Sequence, residues 1–253
     1  MTRQQEVRPV LVLDIPIERR VVTVRRGDRQ QRISLLLAGN PGPRPPVLAV
    51  HGLGSSAEDT WQRTGHLLGL ARAGRWVIAP DLLGHGQSDA PDDPAEYTVP
   101  ALTEWLTGAV TAVLAEQPGT SVPDRLDLLG YSLGSRLGWT LLAGGPVPVR
   151  RAVLGGFDGR ALLAEVPPED LPAAPPAVLA GLDGTPRATG RPEQPLLLVA
   201  GADDKVAAGA ERLAASLPAG QFLSIPGRDH VSAVTARAFR HGAVDFLASQ
   251  ACT

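Results

Sequence analysis

The sequence predicts an α/β fold: a mostly parallel central sheet with helices on both faces, an N-terminal antiparallel hairpin and a short proline-rich lid. Three observations carry that reading. Short apolar runs alternate with longer segments of helical period. Most of the runs are continuously apolar, the pattern of strands covered on both faces of a parallel sheet. The first two runs are separated only by the turn-like "RRGDRQQ", which joins them as a hairpin.

In chain order the hairpin strands are "RVVTV" (20–24) and "RISLLLAG" (32–39). "PVLAVHG" (46–52) is a buried strand running into a glycine-rich loop, and residues 58–72 follow as helix. "RWVIAPD" (75–81) is a strand. The helix over 97–117 carries Leu102, Leu106, Ala109, Val110, Val113 and Leu114 on one face. "RLDLLGYS" (125–132) is a strand before a helix at 133–143, and "RRAVLGG" (150–156) is the next strand. "PLLLVAG" (195–201) leads to a helix over 206–216, and "QFLSIPG" (221–227) to a last helix over 231–248. Residues 157–194 break the alternation with seven prolines and one aromatic residue, Phe157. Loops of that length without regular structure are commonly lids or binding segments.

A chain of 253 residues suits one domain, 1–253, with 157–194 as a lid inserted within it. The formal charge of −2 gives no basic field for nucleic acid or an anionic membrane surface. No apolar run spans a bilayer, and "MTRQQEVRPVLVLDIPIERR" lacks the apolar core and cleavage site of a signal peptide, so a cytoplasmic protein is expected. The single cysteine, Cys252, excludes an intramolecular disulfide and reads as an incidental thiol. No two histidines stand at ligand spacing on one element, and "HGLGSS" lacks the Gly-Lys-Ser/Thr of a phosphate-binding loop. Neither metal nor cofactor is expected. The expected partner is a small-molecule substrate.

The stretch "LDLLGYSLGSRLGW" (126–139) brings a strand to a helix through Gly130, Ser132 and Gly134. A serine on so tight a turn has a strained backbone and projects its hydroxyl over the sheet edge, with small residues two before and two after. The following helix aims free N–H groups at the same place, where negative charge is stabilised. Such a hydroxyl needs a base, and the base an orienting carboxylate. His230, in "GRDHVSAV" after the last strand, falls on the same edge as Ser132. His85 in "DLLGHGQSD" is a lesser candidate for the base, while His66 and His241 fall within helices and read as packing or surface residues. For the carboxylate, Asp203, Asp204 and Asp158 all follow strands. Trp61 and Trp105 could line a pocket, although core packing explains each as well.

These motifs together resemble the α/β-hydrolase family, from the first hairpin to the final helix. "HGLGSS" (51–56) resembles its oxyanion loop, "DLLGHGQSD" (81–89) its Asp-x-x-Gly-x-Gly-x-Ser segment, and "GYSLG" (130–134) its nucleophile elbow. "GADD" (201–204) and "GRDH" (227–230) resemble its acid and histidine segments, in the order Ser, Asp, His. The resemblance implies Ser132 as nucleophile, His230 as general base and then acid, and Asp204 as the orienting acid. It implies an oxyanion hole from the backbone N–H groups of Leu53 and Leu133, with His51 shaping the loop. Dehalogenase-like and epoxide-hydrolase-like members carry an aspartate where Ser132 stands. The implied activity is therefore a serine hydrolase acting on an ester or thioester of a small-to-medium organic acid. A carbon–carbon hydrolase, lyase or other tailoring enzyme of secondary metabolism on the same triad is the second reading, and a non-catalytic binder the third.

Overall fold

The computed structural model describes residues 15–116, 125–163, 166, 169 and 171–249. Residues 1–14 of the N-terminal segment read for a leader, and Cys252, lie outside the described residues. Among the described residues eight strands form one sheet: β1 (Ile17–Arg26), β2 (Arg29–Ala38), β3 (Val47–Val50), β4 (Val77–Pro80), β5 (Leu126–Tyr131), β6 (Val149–Gly155), β7 (Leu196–Gly201) and β8 (Gly220–Ile225). Their spatial order is β1-β2-β4-β3-β5-β6-β7-β8. The hairpin β1–β2 and the β2–β4 pairing are antiparallel. All other pairings are parallel.

The hairpin turn is tighter than the seven-residue link read from the sequence. Arg26 pairs with Arg29, so only residues 27–28 turn the chain. The polar residues on either side extend the ladder as an exposed ribbon, which apolar patterning does not register.

The central strands are buried on both faces and feed two cores. Leu48 and Val50 of β3 point into one, Val47 and Ala49 into the other; Leu196 and Leu198 of β7 alternate with Leu197 and Val199 in the same way. This is the period-2 alternation of strand side chains, with apolar residues at both phases. The first core is completed by α2 (Val99–Ala115), α3 (Leu133–Leu142), α4 (Pro176–Leu182) and α5 (Ala210–Ala215). The second is completed by α1 (His66–Arg72) and α6 (Arg237–Ala248), whose Leu67, Leu70, Phe239, Ala243 and Leu247 are buried. Helices thus cover both faces of the sheet.

Three expected helices are shorter than their apolar patterns. The segment from 58 splits into a wide turn over Glu58–Gln62 and α1, because Gly65 takes a left-handed φ of 80° between them. Turns occupy 205–209, leaving α5 to start at Ala210, and the last helix starts at Arg237 after a short turn over Ala233–Thr235. Among the described residues, 157–194 contribute one α-helix, α4, from "PAVLAGL", and "ALLAEV" is not helical.

Candidate active site

The carboxyl ends of β3, β5, β7 and β8 lie along one edge of the parallel sheet, and the loops leaving them carry the site. Ser132 joins β5 to α3 with φ 51° and ψ −114°, a conformation that an L-residue holds only when its surroundings impose it. Two hydrogen bonds do so. The Ser132 N–H donates to the Gly155 carbonyl at 2.9 Å, and the Ser135 hydroxyl donates to the same carbonyl at 2.7 Å. Close approach explains both flanking glycines. A Cβ on Gly130 would sit 2.8 Å from the Gly134 oxygen, and one on Gly134 would sit 2.0 Å from the Val50 oxygen.

His230 follows β8 and reaches back over the elbow. Its Nε2 is 3.0 Å from Ser132 Oγ, and its Nδ1 is 3.0 and 3.1 Å from the two Asp204 carboxylate oxygens. An ionised carboxylate only accepts, so Nδ1 carries the ring proton and Nε2 is left to accept the serine hydroxyl proton. Asp204 is only 4% exposed and also accepts the Ala207 N–H at 3.0 Å. The other two carboxylates considered from the sequence make no hydrogen bond to His230. Asp203 is exposed and borders the cavity over Ser132. Asp158 is bound by the Arg160 guanidinium at 2.7 Å and by the Gly209 N–H at 3.1 Å.

Leu53 and Leu133 line a cavity of about 640 Å³ together with Ser132 and His230. Neither backbone N–H donates to a protein acceptor among the described residues. His51 stands at the base of this loop, fully buried. Its Nδ1–H donates to the Gly52 carbonyl at 2.7 Å, and its Nε2 accepts the Leu82 N–H at 2.9 Å. Burial, reinforced by neighbouring His85, lowers its pKa to about 4, so the ring is neutral and ties two loops together. Asp81 braces the same region, accepting the Ala57 and Gln87 N–H groups at 2.8 and 3.0 Å.

The remaining histidines lie away from Ser132. His85 is buried edge-on to His51 with ring centroids 5.3 Å apart. His66 is packed between Trp61 and Phe239, and His241 is exposed on α6. Trp61 and Trp105 are core residues, 0% and 1% exposed. Among the described residues no group of three or more His, Cys, Asp or Glu side chains could hold a metal ion. No helix of the described chain is long and apolar enough to cross a membrane.

Two contributors escape sequence reading. Tyr131, directly before the serine, donates its hydroxyl to the His230 carbonyl at 2.5 Å. Burial, with the Asp204 charge second, raises its pKa and keeps the phenol a donor. The segment after β6 supplies Leu162, Leu163, Val166, Leu171 and Pro172 to the cavity wall. Nothing in its irregular, proline-rich pattern indicates which of its apolar residues turn inward.

Comparison with known proteins accords with this architecture. Residues 45–191, more than half of the chain, match the family profile of the alpha/beta hydrolase fold. Epoxide hydrolase 2 of Siraitia grosvenorii is 35% identical over 99 residues, 39% of this chain and 28% of that protein. The 2-hydroxymuconate semialdehyde hydrolase of Pseudomonas sp. strain CF600 is 32% identical over 114 residues, 45% of this chain and 37% of that protein. The matched regions thus span well under half of these curated relatives' lengths. The crystal structure of a hydrolase from Pseudomonas aeruginosa PA01 superposes with a TM-score of 0.70 at 24% identity, covering 90% of this chain and 98% of that one. The chain belongs to the alpha/beta hydrolase fold family.

Proposed function

We propose that the protein is a serine hydrolase that cleaves an ester or thioester of a small-to-medium organic acid through an acyl-enzyme. The observation that carries this reading is the unbroken chain of contacts from Ser132 Oγ to His230 Nε2 at 3.0 Å and from Nδ1 to Asp204 at 3.0 Å. Ser132 Oγ attacks the substrate carbonyl while its proton passes to His230 Nε2. The developing imidazolium is stabilised by Asp204, and the carbonyl oxygen, now an oxyanion, is received by the N–H groups of Leu53 and Leu133. The tetrahedral intermediate collapses, the leaving alkoxide or thiolate takes the proton from His230, and the acyl group stays on Ser132. Water, deprotonated by the same nitrogen, then releases the acid and restores the hydroxyl.

The nucleophile also separates this reading from the chemistry in the epoxide hydrolase relative's name. A serine oxygen that opened an epoxide or displaced a halide would be left as an ether, with no carbonyl for water to attack. An acyl-serine is hydrolysable. Ser132 therefore favours acyl transfer over alkyl transfer.

In the same reading the 157–194 segment acts as a lid within a single domain in a cytoplasmic setting, and no cofactor takes part. The second reading is a carbon–carbon hydrolase using the same three residues, favoured by the likeness to the Pseudomonas semialdehyde hydrolase. A panel of aryl esters and thioesters of increasing acyl length, run beside Ser132→Ala, tests the proposal. Turnover that vanishes in the variant supports it. Turnover of no acyl substrate, or turnover that survives Ser132→Ala, removes it.

A further inference from the structure

Arg136 lies one helical turn beyond Ser132 on α3, and its N–H donates to the Ser132 carbonyl at 3.0 Å. Its side chain is almost out of water, with the residue 7% exposed. Among the described residues its side chain makes one hydrogen bond, Nη2 donating to the Pro186 carbonyl at 3.1 Å. Its Nε is buried and has no acceptor among the described residues. Other buried arginines differ in one respect. Arg75 and Arg151 both lie in the field of Asp127, whereas burial alone acts on Arg136 and lowers its pKa. A largely buried guanidinium with no opposing carboxylate among the described residues is an unfilled half of an ion pair.

Arg136 borders a recess of about 170 Å³, walled also by Phe157, Leu162, Leu163, Val166 and Lys205. Leu162, Leu163, Val166 and Lys205 also line the cavity over Ser132, so the two spaces share a wall. Lys205, the only lysine in the chain, and Arg160 also border the recess, while Asp203 and Asp229 border the cavity over Ser132. Asp158 borders the recess too, but Arg160 and the Gly209 N–H already hold its carboxylate. The recess is small and mostly apolar, with Arg136, Arg160 and Lys205 among its lining residues.

We propose that Arg136 is a specificity-determining residue that receives a carboxylate carried by the substrate, about one helical turn from the carbonyl that Ser132 attacks. The inference rests on the acyl-transfer reading above and narrows its substrates to esters or thioesters of dicarboxylic acids. The planar fork of guanidinium donors matches a carboxylate, the apolar wall suits the few methylenes between the two carbonyl carbons, and the volume excludes a nucleotide-sized anion.

The test compares p-nitrophenyl butyrate with mono-p-nitrophenyl glutarate. The native enzyme prefers the anionic ester by about ten- to a hundredfold in kcat/KM, mainly through KM, the range expected for a charge-assisted hydrogen bond. Arg136→Gln brings the ratio of the two esters to about one, and Arg136→Lys restores part of it. A second arm needs no turnover. Calorimetry on Ser132→Ala reads binding of free glutarate, with inorganic phosphate as the competing probe, and on Ser132→Ala/Arg136→Gln reads its loss. Absence of any preference in the native enzyme, glutarate binding unchanged by Arg136→Gln, or tighter binding of phosphate than of glutarate would overturn the assignment. The native-enzyme ratio keeps the assignment open to refutation even if the Arg136 variants do not fold. Arg136-dependent glutarate binding without hydrolysis of either ester would leave the anion site standing and remove the acyl-transfer reading instead.

Discussion

Replacing Gly134 by alanine adds one methyl group at the tightest point of the elbow. The new Cβ would lie 2.0 Å from the Val50 oxygen, 2.5 Å from the Val50 carbonyl carbon and 2.7 Å from the His51 oxygen. All three are backbone atoms, so no side chain can rotate away. Ordinary contact needs ~3.4 Å or more, so β3 and α3 must separate by more than 1 Å. Overpacking a rigid interior destabilises by about 1–3 kcal/mol, and a backbone clash belongs at the top of that range. At roughly 2–4 °C per kcal/mol for a chain of this size, the melting temperature falls by about 6–12 °C. Activity suffers separately. The displaced segment is the one leading from Val50 through His51 to Leu53, and a ~1 Å error in a catalytic donor can lower turnover about a hundredfold. The assay is thermal unfolding beside aryl-ester kinetics, with Gly42→Ala as the control. Gly42 is exposed and has nothing within 4 Å of an added Cβ. A Gly134→Ala protein with the melting temperature and kcat of the control would refute the packing argument for the elbow.

Other expectations follow from the same structure. Ser132→Ala and His230→Ala each lower kcat by about four to six orders of magnitude, Asp204→Asn by less, and the double variant Ser132→Ala/His230→Ala is little worse than either single one, as residues acting in one unit require. Steady-state kinetics of all four variants checks this, and multiplicative losses would contradict it. Burial holds His51 at about 4 and His66 at about 3, below the 6.5 of an exposed imidazole. Below pH 6.5 the unfolded chain therefore binds protons that the folded chain refuses, and the stability that is complete above that pH declines on the order of 1 kcal/mol per unit for each histidine toward those lower values. Denaturant unfolding from pH 7 to 4.5 measures it, and equal stability at the two ends would contradict it. Asp127, fully buried, accepts from Arg150 at 2.8 Å and from Arg75 at 2.5 Å, and Arg75 is itself 1% exposed. Asp127→Asn leaves that guanidinium without its countercharge and destabilises by roughly 3–5 kcal/mol in urea unfolding; a loss under about 1 kcal/mol would show that Arg75 is satisfied by carbonyls alone.

Much of the architecture is written in local pattern. Apolar runs mark β3, β5, β6 and β7 because those strands are buried on both faces, and the glycine spacing at 130–134 marks the elbow because only a missing Cβ lets β5 and α3 meet. Other features depend on contacts between distant segments. Three aspartates follow strands, and only the folded chain selects Asp204 to face His230. Gly65 interrupts a periodic segment that otherwise reads as one helix. Arg136 carried a usable signal, a charge in the apolar run "LGSRLGW", but a surface face and a buried cation are identical in sequence. The proline-rich stretch after β6 has no period from which its inward residues could be read.

Acyl transfer requires Ser132 Oγ to be the atom that takes the acyl group. Mass spectrometry of the protein quenched during turnover of an aryl ester reads this directly. The predicted result is a mass gain equal to the acyl group, carried by the peptide containing Ser132 and absent from Ser132→Ala. Turnover with no adduct in the native protein, or an adduct on another residue that persists in Ser132→Ala, would contradict it.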